Sequence, residues 1–146
     1  MSLDLLFLIC NYGVIPAWLL LALAPKSAIT QQVVHRIWIP MLLGLVYLSL
    51  FVTGPAAPEG GDFFSLAGVM TLFTNPQMML VGWVHYLAFD LFVGAWEVRD
   101  AQRRGISHLW VVPCLFFTLM LGPIGFLAYL TLRLVLLGEK GLDEVA

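Results

Sequence analysis

Gln77-Met78-Met79-Leu80-Val81-Gly82-Trp83-Val84-His85-Tyr86-Leu87-Ala88-Phe89-Asp90-Leu91-Phe92-Val93-Gly94-Ala95-Trp96 decides the fold. It is as long as the roughly 20 mainly apolar residues that a helix needs to cross about 30 Å of hydrocarbon. It carries a carboxylate near its middle, at Asp90. No soluble core helix of this length needs to be apolar on every side. The reading is therefore a membrane span, and the rest of the chain follows from it.

Upstream, Leu3–Ala24 reads as a first span interrupted by Asn11, Tyr12 and Pro16, and residues 34–53 as a second with His35 and Arg36 at its mouth. Met1-Ser2-Leu3-Asp4 offers an acid and no basic residue, so the first run is expected to be a retained helix and not a cleaved signal. The Gly/Pro-rich segment 54–62 is a loop. Residues 63–73 are apolar but too few to cross, which suits an interfacial or re-entrant helix. Downstream, Glu97, Arg99, Asp100, Arg103 and Arg104 are expected to close span three at the interface. Residues 106–132 then form span four, with Gly122-Pro123-Ile124-Gly125 in its middle. One kinked helix running out past Arg133 along the interface is expected, with a broken re-entrant pair as the alternative. The expected fold class is all-α: a single transmembrane domain over residues 1–146, with four spans at about 3–24, 34–53, 77–96 and 106–132.

Composition agrees. Apolar residues make up 61% and charged residues 11% of the chain, against about 45–50% and 25% in soluble domains. The net charge of −2 leaves no basic surface for nucleic acid. Lys26, Arg36, Arg99, Arg103 and Arg104 flank one side of the four-span scheme, and Arg133 and Lys140 the other, five against two of the seven. The positive-inside rule then places both termini on the non-cytoplasmic side. Cys10 and Cys114 lie in apolar runs without metal-ligand spacing and read as small buried hydrophobes.

Asp90 is the first candidate for chemistry, because an intramembrane acid is costly and needs a sheltered interior. It serves either as a proton donor, acceptor or substrate anchor, or as a structural acid bonded to Asn11, Tyr12 or Tyr47. His85 lies five residues earlier, about 140° around the helix and about 7.5 Å along it, too far apart for the two to chelate one metal. Met79, Trp83, Tyr86, Asp90, Gly94 and Glu97 share one helical stripe, and Met78, His85, Phe89, Phe92 and Trp96 another. The first mixes polar groups with flat aromatic surface, as a pocket for an apolar ligand does, while ordinary aromatic packing is the plainer alternative. Glu97 and Asp100 with His35 or His108 form a weaker metal candidate; a salt-bridged interfacial cluster is preferred. No cofactor or metal site is expected, and no phosphate loop, nucleophile elbow or HExxH occurs.

Gly82-Trp83-Val84-His85-Tyr86-Leu87-Ala88-Phe89-Asp90-Leu91-Phe92-Val93-Gly94 resembles the W-x-H-x-L-x-x-D-L-F signature of the abscisic-acid-deficient-four-like family. Ala24-Pro25-Lys26, Cys114-Leu115-Phe116 and Gly122-Pro123-Ile124-Gly125 are similar to further elements of that family, in the same order. The family includes plant chloroplast membrane proteins required to make neoxanthin from violaxanthin, and bacterial relatives. The resemblance implies an apolar isoprenoid or carotenoid as ligand. It also implies an isomerisation in which a 5,6-epoxide opens with acid assistance while a proton leaves the polyene to give an allene. Protonated Asp90 would donate and neutral His85 accept, with Trp83, Tyr86, Asn11 and Tyr12 holding the ligand. A bacterial inner membrane is the expected location, since no Ser- and Arg-rich import extension is read at the start of the chain. A non-catalytic assembly protein and a small proton-coupled transporter are the competing readings; homo-oligomerisation is left open.

Overall fold

The computed structural model describes residues 2–36, 38–138 and 140–141. Among these residues every regular element is helical: α1 (Leu3–Gly13), α2 (Ile15–Leu23), α3 (Ala28–Val33), α4 (Trp38–Thr53), α5 (Leu66–Leu72), α6 (Pro76–Arg103), α7 (His108–Leu121) and α8 (Pro123–Leu137). Among the described residues three stretches are long and apolar enough to cross a membrane: Leu3–Leu23, Ala28–Thr53 and Pro76–Arg103. Large apolar side chains such as Leu42, Val52, Phe89 and Leu127 lie exposed on the outside of the bundle. Water is a poor solvent for such a surface, and lipid a good one.

Local chemistry sets the ends. Ser2 caps α1 by accepting from the Leu5 amide at 3.2 Å. Pro16 lacks the N–H that would bond the Tyr12 carbonyl, so the first span is interrupted at Val14, which stays in right-handed helical geometry. The α2–α3 corner is tied by the Thr30 hydroxyl, which donates to the Ala24 carbonyl at 2.6 Å. The loop after α4 ends where Asp62 accepts from the Phe64 and Ser65 amides. The helix expected over 63–73 is then only α5, seven residues long, or about 10 Å, so it does not cross. Asn75 caps α6 by accepting from Gln77 and Met78 amides, with Pro76 in the first turn.

At 28 residues, α6 is about 42 Å long and forms the axis of the fold. It runs about two turns beyond the end expected at Trp96, because Glu97 and Asp100 are buried in the bundle and do not mark an interface. α4 lies antiparallel to it. Gln77 Nε2 donates to the Leu50 carbonyl at 2.8 Å at one end, and Arg99 Nη1 lies 3.2 Å from His35 Nδ1 at the other. The first span packs on another side, where the Trp18 ring occupies the space that a Cβ on Gly94 would need.

The segment expected as one kinked fourth span, with a broken re-entrant pair as the alternative, is two helices that fold back on each other, in the manner of that alternative. α7 has 14 residues and α8 has 15, about 21 and 22 Å, so neither crosses the hydrocarbon. The turn is Gly122 at φ 48°, a left-handed conformation that glycine adopts without penalty. Past it, Gly125 lies against the backbone of Thr118. Thr118 stands beside Glu97, Gly122 beside Asp90, and Tyr129 and Arg133 beside Asp100. α7 thus descends to the level of Asp90, and α8 returns to the end it started from. Arg133, expected at the opposite interface, is 1% exposed.

This return reverses the expected side of the chain's end. Leu3 and Asp4 line a cleft with Pro76 and Met79 at the start of α6. Arg133 Nη2 donates to the Gly141 carbonyl near its far end. Pro25 accepts from Gln102 there as well, which brings Lys26 to that end. Lys26, Arg36, Arg99, Arg103, Arg104, Arg133 and Lys140, all seven basic residues of the chain, therefore gather at one end, the side that the positive-inside rule assigns to the cytoplasm. Cysteines placed at Ser2 and Lys140 should react with an impermeant maleimide from opposite sides, with Lys140 matching Lys26. Ser2 and Lys140 reacting from the same side would restore the four-span arrangement.

Candidate functional site

One face of α6 collects the polar groups that the hairpin and the first span cover. Trp83 Nε1 donates to Asn11 Oδ1 at 3.2 Å. The Trp83 and Tyr86 rings stack at 5.3 Å, and the Phe7 ring lies 5.9 Å from that of Trp83. The Tyr86 hydroxyl donates to the Leu119 carbonyl at 3.2 Å, just before the hairpin turn. One turn further, the Asp90 carboxyl lies on Gly122: a Cβ there would stand 2.8 Å from Asp90 Oδ1. Asp90 Oδ2 is buried and has no hydrogen-bond partner. α8 begins beside it without a side-chain cap, so the positive end of a half-helix meets a carboxyl at mid-span.

The same face continues toward the basic end. Glu97, fully buried, accepts from the Thr118 hydroxyl at 2.9 Å, and its Oε2 has no hydrogen-bond partner. Asp100 is the anion of a buried cluster: Tyr129 donates to its Oδ2 at 2.7 Å, Arg133 Nε lies 3.3 Å from the same oxygen, and Arg104 Nε lies 2.9 Å from Oδ1.

Trp83, Tyr86 and Asp90 share one face of α6, the stripe given by 100° per residue, and Asn11 of α1 joins it through its bond to Trp83. His85 does not share it. It stacks on Phe89 at 4.5 Å and faces Tyr47 of α4 at 6.2 Å, on the other side of the helix. Tyr12 is 65% exposed. Asp90 bonds to none of the structural partners considered for it; Tyr86 and the hairpin turn surround it. The weighed metal set is also dispersed: His35 pairs with Arg99, and His108 Nε2 bonds the Ala22 carbonyl. No group of three metal-ligating side chains occurs among the described residues. Cys10 and Cys114 are buried free thiols.

Sequence reasoning missed the depth of Glu97 and the Asp100–Tyr129–Arg133 cluster. Two signals were present. Glu97 is seven residues from Asp90, hence on the same face. Tyr129 and Arg133 are four apart in an apolar run, a pair that wants a partner when buried.

Residues 5–129, which include every residue of this face except Arg133, match the model of the family described as ABA DEFICIENT 4-like. The chain is 23% identical over 138 residues to Protein ABA DEFICIENT 4, chloroplastic, of Arabidopsis thaliana, covering 89% of this chain and 61% of that protein. It therefore spans about three fifths of the relative's length. The expected bacterial inner membrane has no counterpart in that relative, whose name places it in the chloroplast. No solved structure matches. The family match covers most of the chain, and the chain belongs to the ABA DEFICIENT 4-like family.

Proposed function

We propose that the protein binds an elongated apolar isoprenoid, of the carotenoid class, against the Trp83–Tyr86–Asp90 face and isomerises it with Asp90 as the proton-exchanging group. The supporting observation is the Asp90 carboxyl itself: it sits at mid-span on the hairpin turn, next to a stacked aromatic pair, with one oxygen left without a partner. Aromatic faces suit a polyene, and the open oxygen suits a ligand oxygen. In this reading protonated Asp90 gives its proton to the epoxide oxygen as the C–O bond breaks. The resulting carboxylate takes the proton that leaves the polyene carbon, and the allene forms with no net change of composition. One carboxyl does both steps, because His85 faces the other way. Tyr86 positions the ring end of the ligand.

Asp90→Asn should lower conversion of a carotenoid epoxide by at least about 100-fold, the usual contribution of general acid–base catalysis. His85→Ala should retain conversion, and both variants should insert normally. Conversion by Asp90→Asn at the parent rate would overturn the assignment. Pigment retained by gently solubilised protein, read as a visible absorption band and lost in Trp83→Ala, tests binding separately from catalysis.

A proton-carrying role along the same face is the second reading, favoured by buried Glu97 two turns from Asp90. Proton flux in liposomes that required both acids would select it.

A further inference from the structure

A groove of about 470 Å³ opens between the start of α4 and the second half of α6, on a side of α6 that the Asp90 face does not use. Its walls are of two kinds. Pro40, Met41, Leu91, Phe92 and Ala95 make it apolar, while His35, Arg36 and Arg99 stand at its basic end, with no acid among the lining residues. Phe92 is 55% and Met41 46% exposed, so the apolar part opens outward, where lipid lies. His35 Nδ1 lies 3.2 Å from Arg99 Nη1, while its Nε2 is buried without a hydrogen-bond partner. The groove thus has a greasy trough along the membrane normal and a cationic end at the interface. That end belongs to the face where all seven basic residues gather, the side on which anionic phospholipids are met.

We propose that this groove is a binding site for one anionic phospholipid, its phosphate held by His35, Arg36 and Arg99 and an acyl chain laid over Phe92 and Met41. Charge complementarity selects the occupant. A neutral isoprenoid gains nothing from the two arginines, whereas each Lys or Arg near an anionic headgroup favours binding by about five-fold, and His35 adds a hydrogen-bond donor at Nε2. The site is independent of the Asp90 reading, and neither stands or falls with the other.

The test is titration of the protein in neutral detergent with phosphatidylglycerol and, separately, phosphatidylcholine, with bound lipid counted by native mass spectrometry. One phosphatidylglycerol should bind in clear preference to phosphatidylcholine. Arg36→Gln and Arg99→Gln should each weaken it about five-fold. Lys26→Gln, at the same end but outside the groove, should leave it unchanged. Met41→Trp, at an exposed position, should expel the lipid without lowering the melting temperature, which keeps the test decisive should Arg99→Gln fold poorly. Equal affinity for the two lipids would overturn the proposal. So would a loss in Lys26→Gln matching that in Arg36→Gln, which marks a diffuse basic face. Displacement of the lipid by millimolar inorganic phosphate would overturn it in favour of a free-anion site.

Discussion

Gly125→Ala should separate α7 from α8 and destabilise the protein by about 1–3 kcal/mol or more, the range for forcing a methyl group into filled space. The added Cβ would stand on the Thr118 amide nitrogen and Cα as well as its hydroxyl. A side chain could rotate away, but a helical backbone cannot, so the two helices must move apart. The damage then spreads. The Thr118 hydroxyl donates to Glu97, and the helix that Gly125 opens carries Tyr129 and Arg133 to Asp100. Gly44→Ala, in mid-α4 with nothing within 4 Å of its Cβ position, is the matched control. It should be neutral or stabilising by up to about 1 kcal/mol through helix propensity. Melting temperatures in one detergent compare the two. Equal stability of both variants would show that α7 and α8 do not pack as closely as Gly125 on Thr118 requires.

Asp100→Ala should cost about 3 kcal/mol, the low end of what breaking a buried ion pair costs. Asp100 is 1% exposed, and Tyr129 and Arg133 reach it from α8 while Arg104 reaches it from its own helix. Alanine takes away the carboxylate that Arg133, itself 1% exposed, faces, and a buried cation resists losing an anion more than a surface one does. Asp100→Asn should fall between parent and alanine, since it keeps an acceptor for the Tyr129 hydroxyl. Replacing the pair together, as Asp100→Leu with Arg133→Met, should recover much of the loss, because two apolar groups need no mutual compensation. Denaturant unfolding of the parent, Asp100→Leu, Arg133→Met and the double variant forms a double-mutant cycle. Additive losses would mean that the two residues do not interact.

Much of the candidate site could be read from the order of residues in one helix. Trp83, Tyr86, Asp90 and Glu97 share a face because 100° per residue brings them there, and a helix of that length and composition has no other solvent than lipid. The same arithmetic put His85 on a different side, which its contact with Phe89 and Tyr47 confirms. The pairing of Asp90 as donor with His85 as acceptor came from the family resemblance and not from that arithmetic. An angle around one helix says nothing about which neighbour stands on each side.

The largest misreading has the same origin. Residues 106–132 are apolar throughout, and an apolar run reads alike whether it continues straight or doubles back. The Gly122–Gly125 segment marked a break without its direction. Glu97 and Asp100 sat among arginines, so their charge pattern suggested a membrane surface. Only when α8 returns do Thr118, Tyr129 and Arg133 come into place to bury them.

Residence in lipid, the three long apolar stretches and the polar face of α6 are properties of single segments, governed by hydrophobic length and period, and the linear chain suffices to specify them. The fold-back of α7 on α8, the side on which the chain returns and the partners of each buried acid belong to contacts between segments far apart in sequence. Those are settled by close packing, where one hydrogen atom on Gly125 instead of a methyl group decides whether two helices meet.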